Sequence, residues 1–399
     1  MKKVAVIFEG DPSRRLGVFQ AVVNRVKHLQ ALDDYKINVT LLTVYDGWLM
    51  RLLRGGKRHT DRPAVIHADG VTIAVKWIKR SWIDAALHRL LKMRPVMTLR
   101  RLNKMGWEMR GHDLVSAHDR IAGHVAVSAR QKLQIPAFIT WHGASIYTDP
   151  PRDAMVKRMT VELLRGATDN FFVSEGLLRK ARQLTPDNFP ADVLLNGANA
   201  QFHRYSDDRR TELRRAHNCL GSKVVAFIGR FEPVKNVLWL PQIYRLIKQK
   251  YDGDIIFWAI GDGVQLSETR QRMAGEGIHC KFFGLQPPEA MPDLMNCIDL
   301  LVLPSNLEGL PLVTIEALSC GANVVATNVI GTAEAIGRDN AIDLGNDFIE
   351  RFTTRAAAML RGEVEQRLPE AVSWTATAHK ENEIYTAATT LPAGKGDKA

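Results

Sequence analysis

The chain has 399 residues, of which 46% are hydrophobic and 24% charged, and its net charge is +11. This composition is that of a globular protein long enough for two domains, and it excludes disordered and fibrous classes. No apolar run approaches the roughly 18 residues of a membrane span, and Glu9 ends the first apolar run too early for a signal peptide.

The chain opens with an alternation of apolar strands and amphipathic helices. Val4–Phe8 predicts a buried strand, and Gly17 stands at the entrance of a helix predicted over Val18–Leu29. Further strands are predicted at Ile37–Val44 and Asp113–His118. Alternating strands and helices are typical of a doubly wound α/β domain.

Most of the positive charge lies in the first half, where residues 1–200 hold 32 Lys and Arg against 18 Asp and Glu. Lys76–Lys104 contains a single acid, Asp84, among many cations and interleaved Trp, Leu and Met residues. Such a stretch suits an anionic membrane surface; alternatively, it is a solvated helix whose Lys and Arg stems cover apolar surface. No pattern typical of nucleic-acid binding accompanies it, so we expect no nucleic-acid partner.

The strand predicted at Pro136–Trp141 ends at His142. Open α/β sheets bind ligands at the carboxyl ends of their strands, which makes His142 a candidate site residue. A hydrogen-bonded structural histidine is the alternative, and His118 stands at a similar strand end. A turn at Asn196–Asn199 then closes the first domain.

The second domain begins with a strand at Lys223–Ile228, followed directly by Gly229–Asn236. Arg230 in this segment offers a forked guanidinium, and Lys235 offers a point charge. Two cations after a strand can be plain surface charges.

An apolar strand at Leu300–Pro304 leads into a loop and then a helix, with Pro311 in the first turn of that helix. Glu308 falls in the loop and Glu316 in the second helical turn, so both carboxylates can point toward the carboxyl edge of the sheet. A capped helix with two solvated glutamates is the alternative on spacing alone.

The loop also contains a candidate anion site. The backbone N–H groups of Gly309 and Leu310 lie at the helix N-terminus, where the helix dipole favours negative charge. Glycine permits close approach of a ligand to the backbone. A phosphate would fit at this position.

The segments Gly229–Asn236 and Glu308–Gly321, with the turn at Asn196, resemble motifs of the retaining glycosyltransferase family commonly called GT4. The resemblance implies the GT-B fold, with two Rossmann-like doubly wound α/β domains facing each other across a cleft. It further implies an acceptor-binding domain over residues 1–200 and a nucleotide-sugar-binding domain over 201–372. Residues 373–399 would form a terminal helix that crosses back to the first domain, and a disordered tail.

The same resemblance assigns roles to the candidate residues. It implies a diphosphate as the ligand of Arg230 and Lys235. Glu308 would lie against the donor sugar, Glu316 would hold the ribose hydroxyls, and His142 would face the sugar from the first domain. The implied catalytic set is Glu308, His142, Arg230 and Lys235. The implied substrate-binding set is Gly17, Arg230, Lys235, Glu308, Gly309, Leu310, Pro311 and Glu316.

The implied reaction is retaining transfer of a hexosyl group from a nucleoside-diphosphate sugar, of the UDP or GDP type, without a metal or other cofactor. The implied acceptor is a saccharide, lipid-linked or of the lipopolysaccharide or capsule type. A nucleotide-sugar epimerase of similar fold, a related phosphorylase and a non-catalytic membrane-binding or polyanion-binding relative remain alternatives. The four cysteines show no metal spacing and predict buried reduced thiols in helices and strands of a cytoplasmic protein. Its basic half would lie on the anionic inner membrane, at the cytoplasmic face.

Overall fold

The computed structural model describes residues 1–13, 17–32, 34–46 and 62–390, and these divide into two compact units. Unit 1 is Met1–Leu195 together with the chain from Trp374 onward, and unit 2 is Asn196–Ser373. The boundary between the two units therefore lies between Leu195 and Asn196, before the Asn196–Asn199 turn and five residues before the predicted boundary at residue 200. Arg14 and Arg15, which precede Gly17, and the tail from Leu391 lie outside the described residues.

Unit 1 contains an eight-stranded sheet in the order β3-β4-β2-β1-β5-β6-β7-β8. The strands are β1 Lys2–Glu9, β2 Tyr35–Tyr45, β3 Val65–Ala68, β4 Val71–Lys79, β5 Leu114–His118, β6 Ala137–Trp141, β7 Asp169–Phe172 and β8 Ala191–Val193. All neighbours are parallel except β3 and β4, which form an antiparallel hairpin. Its turn residues, Asp69 and Gly70, both have positive φ, as tight hairpin turns require.

Helices cover both faces of this sheet, which is why the Val4–Phe8 run of β1 and the whole of β5 are continuously buried. The helices are α1 Val18–Gln30, α2 Trp82–Leu91, α3 Val96–Met105, α4 Asp119–Leu133, α5 Ala144–Tyr147, α6 Asp149–Arg152, α7 Ala154–Gly166, α8 Glu175–Arg182 and, from the chain end, α16 Trp374–Thr390. A 3₁₀ turn, Gly106–Met109, follows α3. Helix α16 packs against α1, so the last helix belongs to the core of unit 1.

Unit 2 contains a six-stranded parallel sheet in the order β11-β10-β9-β12-β13-β14. The strands are β9 Lys223–Ile228, β10 Ile255–Ile260, β11 Cys280–Gly284, β12 Leu300–Leu303, β13 Asn323–Thr327 and β14 Ala341–Ile342. The helices are α9 Asp207–Ala216, α10 Leu240–Lys250, α11 Leu266–Gly275, α12 Met291–Cys297, α13 Leu312–Ser319, α14 Thr332–Ile336 and α15 Phe348–Leu360. The 3₁₀ turns are Pro233–Lys235, Val237–Trp239, Pro288–Ala290 and Arg338–Asn340.

Both units are Rossmann-like α/β domains, which confirms the predicted fold class. In each sheet, the strand order reverses beside the first strand, between β1 and β5 in unit 1 and between β9 and β12 in unit 2. Such switch points are where open α/β sheets bind ligands. No helix among the described residues is both long enough and apolar enough to cross a bilayer.

The four cysteines are free thiols, but the expectation that they are buried in helices and strands needs three corrections. Cys320 lies one residue after the end of α13 at Ser319. Cys219 lies in the connection between α9 and β9, because α9 ends at Ala216. Cys280, at the start of β11, is only partly buried.

Candidate active site

The switch point of unit 2 brings two predicted motifs to one sheet edge. Gly229 follows β9 and Pro304 follows the neighbouring strand β12. The Asn236 side-chain amide donates to the Pro304 carbonyl oxygen (2.9 Å), and the Asn306 backbone N–H donates to the Val234 carbonyl oxygen (2.8 Å). The two loops are therefore tied together by hydrogen bonds.

Lys235 and Glu308 form an ion pair between these loops. The distance from Lys235 Nζ to Glu308 Oε1 is 2.5 Å, and only 16% and 12% of the two side chains are exposed. The family resemblance implied a diphosphate as the ligand of Lys235 and the donor sugar as the neighbour of Glu308. In the structure the ammonium instead contacts the carboxylate, so an incoming phosphate would have to share or replace this partner.

Arg230, the other predicted phosphate ligand, lies on the exposed side of the same loop. Its guanidinium donates to Glu232 Oε1 (2.7 Å), and 65% of its side chain is exposed. The sequence did not single out Glu232. The short spacing of two residues between Arg230 and Glu232 could have predicted this pairing.

Glu316 lies in the second turn of α13, as predicted from its spacing. Burial raises the pKa of its carboxyl group from 4.5 to about 7. Pro311 stands immediately before the first residue of α13, one position earlier than expected. Gly309 and Leu310 are buried in the loop that enters this helix.

Two glycines let the backbones at the ends of β9 and β10 approach closely. A Cβ atom on Gly261 (φ 130°) would lie 1.9 Å from the Gly229 carbonyl oxygen, and one on Gly263 (φ 155°) would lie 2.6 Å from that of Phe231. Only glycine fits such contacts. These glycines therefore fix the path of the segment that carries Arg230.

Unit 1 presents a histidine pair at the ends of adjacent strands. His142 follows β6 and His118 ends β5, with 2.9 Å between His142 Nε2 and His118 Nδ1 and a stacked arrangement of the rings. Burial, with a smaller contribution from Arg25, lowers the pKa of His142 to about 3. Burial also holds the pKa of His118 well below its usual value. The pair is therefore uncharged near neutral pH, and His142 Nδ1 is not engaged in this bond.

Asp119, which sequence reasoning missed, lies beside this pair. It has a left-handed backbone (φ 62°), its carboxylate accepts from the His142 backbone N–H (3.2 Å), and burial raises its pKa to about 6. Strained non-glycine residues are frequent at functional sites. The position of Asp119 directly after the strand-end residue His118 could have marked it as a candidate site residue.

Gly17 lies immediately before α1, with φ 58°, and a Cβ atom there would meet no atom within 4 Å. The glycine is thus required by its backbone conformation rather than by packing. Among the described residues, no group of three or more His, Cys, Asp or Glu is arranged to hold a metal ion.

Comparison with known proteins gives consistent results. Residues 209–357 match the family described as glycosyl transferases group 1. TuaC of Bacillus subtilis (strain 168), named for teichuronic acid biosynthesis, is 26% identical over 228 residues, which span 57% of this chain and 56% of TuaC. D-inositol 3-phosphate glycosyltransferase of Nocardia farcinica (strain IFM 10152) is 27% identical over 316 residues, with 69% and 67% coverage.

Among solved structures, Anabaena Alr3699/HepE in complex with UDP and glucose has a TM-score of 0.64 at 16% identity. The likeness covers 96% of this chain and 99% of HepE. This likeness supports the predicted GT-B fold.

Proposed function

We propose that this chain, whose residues 209–357 belong to the glycosyl transferases group 1 family, transfers a hexosyl group from a nucleoside-diphosphate sugar to a saccharide acceptor. The donor is of the UDP or GDP type, transfer retains the anomeric configuration, and no metal is needed. The observation that carries the proposal is the Lys235–Glu308 pair at the edge where β9 and β12 end.

The cations act on the leaving group. As the bond between the sugar C1 and the diphosphate oxygen breaks, negative charge grows on the phosphate. Arg230 and Lys235 oppose that charge, together with the N-terminal end of α13, because fixed cations and dipoles stabilise charge that develops in the transition state. The acceptor oxygen bonds to C1 on the same face, and its proton passes to the departing phosphate.

The carboxyl groups act on the rest of the donor. Glu308 releases Lys235 to the diphosphate and contacts the transferred sugar, while Glu316 accepts hydrogen bonds from the ribose hydroxyls. His142 contributes a hydrogen bond to the sugar, and the nitrogen available for it is Nδ1, because Nε2 is held by His118.

HepE supports the donor class and TuaC the acceptor class, whereas D-inositol 3-phosphate is a cyclitol phosphate and not a saccharide. HepE has been crystallised with UDP and glucose, and the names of the two curated relatives refer to teichuronic acid biosynthesis and to D-inositol 3-phosphate. We assign this chain a saccharide acceptor that is lipid-linked or of the lipopolysaccharide or capsule type. Such an acceptor is met at the cytoplasmic face of an anionic membrane, which suits the basic first half of the chain.

The test is release of nucleoside diphosphate from a panel of UDP and GDP hexoses, with and without saccharide acceptors. We expect nucleoside diphosphate to be released only when an acceptor is present. An epimerase would instead change the donor sugar without any acceptor. Lys235→Ala should lower kcat at least about 100-fold, because it removes a charge that stabilises the leaving group. Lys248→Ala, on the exposed side of α10, is the matched control. Equal turnover by both variants would contradict the assignment of Lys235.

A further inference from the structure

Helix α2 (Trp82–Leu91) has the reverse of the usual burial pattern. Its one buried residue is Asp84, whereas Trp82, Leu90 and Leu91 are 55%, 77% and 65% exposed. A surface helix of a globular protein normally turns its apolar side chains inward and its charges outward. The exposed apolar side chains of α2 are therefore not part of the buried core of unit 1.

Hydrogen bonds fix α2 in this orientation. Ser81 Oγ accepts from the Asp84 backbone N–H and so caps α2. The Asp84 carboxylate accepts from the backbone N–H groups of Met97 (3.1 Å) and Thr98 (2.6 Å), at the start of α3. Asp84 is therefore buried because it caps the next helix. The outward direction of Trp82 and Leu90, on the far side of α2 from Asp84, follows from this anchoring.

The exposed side is continuous. At about 100° per residue, Trp82, Ile83 and Leu90 lie within about 100° of one another on α2. Leu91 instead lies close to the angle of Asp84 and is exposed as the last residue of the helix. Met93, Val96 and Met97 are also more than 40% exposed, and Met97 Sδ lies 3.2 Å from Ser81 Oγ, next to the start of α2. We call the following exposed set the apolar face: Trp82, Ile83, Leu90, Leu91, Met93, Val96 and Met97.

The apolar face is accompanied by positive charge. The exposed cations of the same segment are Arg89, Lys92, Arg94, Arg100, Arg101 and Lys104. Nearby carboxylates balance only part of this positive charge, since Asp153 pairs with His88 and Lys92, and Glu162 pairs with Arg94. Asp84 is buried and contributes to α3 instead. An occupant of this surface must therefore be apolar in its interior and anionic at its boundary.

We propose that the apolar face docks onto a bilayer containing anionic lipids, with its side chains at the boundary between acyl chains and headgroups and its cations against the headgroups. The inference deepens the proposed function, on which it rests for the location of the acceptor. A second copy of the chain is a poorer occupant, because a symmetric contact would place the same cations opposite one another.

The test is co-sedimentation of the full chain with vesicles of equal parts phosphatidylethanolamine and phosphatidylglycerol, compared with vesicles of phosphatidylcholine. We expect binding to the anionic vesicles that weakens as salt is raised. The variant Leu90→Glu/Leu91→Glu should bind at least about tenfold more weakly, because it loses two apolar anchors. Both side chains are already exposed, so the fold should tolerate the change.

The matched control is Leu220→Glu/Leu344→Glu, which adds the same charge at leucines that are 52% and 47% exposed in unit 2. Equal binding by the two variants, equal binding to both kinds of vesicle, or no binding by the unaltered chain would overturn the proposal. Self-association that the Leu90→Glu/Leu91→Glu variant abolishes, without vesicle binding, would assign the face to a second copy. Donor binding by the same variants, measured without vesicles, should be unchanged. This measurement separates a failure of membrane docking from a failure of the proposed function.

Discussion

The proton of the Glu316 carboxyl group is linked to folding. Its carboxyl group has a pKa of about 7 in the folded protein and about 4.5 when exposed, because burial penalises the charged form. The folded chain therefore holds this proton more tightly than the unfolded chain. The stability that this group contributes is fully present below pH 4.5 and is lost as the pH rises through 7.

Glu316→Gln should raise the free energy of unfolding, because the amide carries no charge to desolvate. The increase should be larger at pH 8 than at pH 5 by about 1–3 kcal/mol. The same variant should bind the donor more weakly, since an amide is a poorer acceptor for the ribose hydroxyls. Urea unfolding at the two pH values and donor titration measure the two effects. An equal gain at both pH values would show that the Glu316 proton is not linked to folding.

The His118–His142 pair has the opposite pH dependence. Both imidazoles have pKa values below 6.5 because they are buried, so the unfolded chain binds protons that the folded chain does not. The stability they contribute is present above about pH 6.5 and is lost as the pH falls toward the folded-state values.

The free energy of unfolding should decrease less for the variant His118→Gln/His142→Gln than for the unaltered chain when the pH falls from 7 to 4.5. The difference between the two decreases should be about 2 kcal/mol or more. Replacement of the exposed His279 by Gln is the matched control. The measurement is the free energy of unfolding across this range. Parallel curves for the double variant and the unaltered chain would contradict the neutral buried pair.

At the scale of elements, the last helix is attached to unit 1 by a buried ion pair. Arg25 Nε of α1 lies 2.5 Å from Glu381 Oε2 of α16, with 3% and 0% of the side chains exposed. Arg25 also donates to Thr140 Oγ1 (3.1 Å), and the Tyr385 hydroxyl donates to Glu381. Loss of one partner would leave a charge without compensation in the core.

Arg25→Met should therefore destabilise the chain by about 3–5 kcal/mol, whereas Arg25→Met/Glu381→Leu should cost less, because no charge stays buried. The control is Arg272→Met, which removes an exposed pair with Glu268 and should cost less than about 1 kcal/mol. Urea unfolding of the three variants decides between these outcomes. Similar costs for Arg25→Met and Arg272→Met would mean that the buried pair does not hold α16.

Much of the fold was predictable because local patterns determine it. The continuous apolar runs of β1 and β9 mark strands covered on both faces, and α1 follows from its helical periodicity. The strand-end positions of Lys235 and Glu308 placed both at the carboxyl edge of one sheet. These features depend only on neighbouring residues and on the rule that parallel strands align their ends.

The remaining features depend on pairings that local patterns do not contain. Lys235 and Glu308 are 73 residues apart, and Arg25 and Glu381 are 356 apart, so topology decides whether they meet. The outward direction of the apolar side of α2 could not be predicted either. Periodicity identifies an amphipathic helix, but the side that faces the protein is set here by the capping role of Asp84.

At the scale of the whole molecule, charge is divided between the two halves of the chain. Residues 1–200 carry the excess of cations, and residues 201–399 hold 22 Lys and Arg against 25 Asp and Glu. The donor site proposed in unit 2 thus depends on a few placed cations rather than on a general positive field. Selective binding of a diphosphate should therefore be sensitive to Lys235 and Arg230 and insensitive to cations outside the donor site.

The most direct test of the donor site is thermal stability of the purified chain against a panel of nucleoside diphosphates and their sugars, with and without a chelator. We predict that the nucleotides of one base raise Tm by about 2 °C or more, because a ligand bound only by the folded chain stabilises it. The rise should vanish in Lys235→Ala and persist in Lys248→Ala. No rise with any nucleotide, a rise that the chelator abolishes, or a rise unchanged in Lys235→Ala would contradict a metal-independent donor site at Lys235 and Glu308.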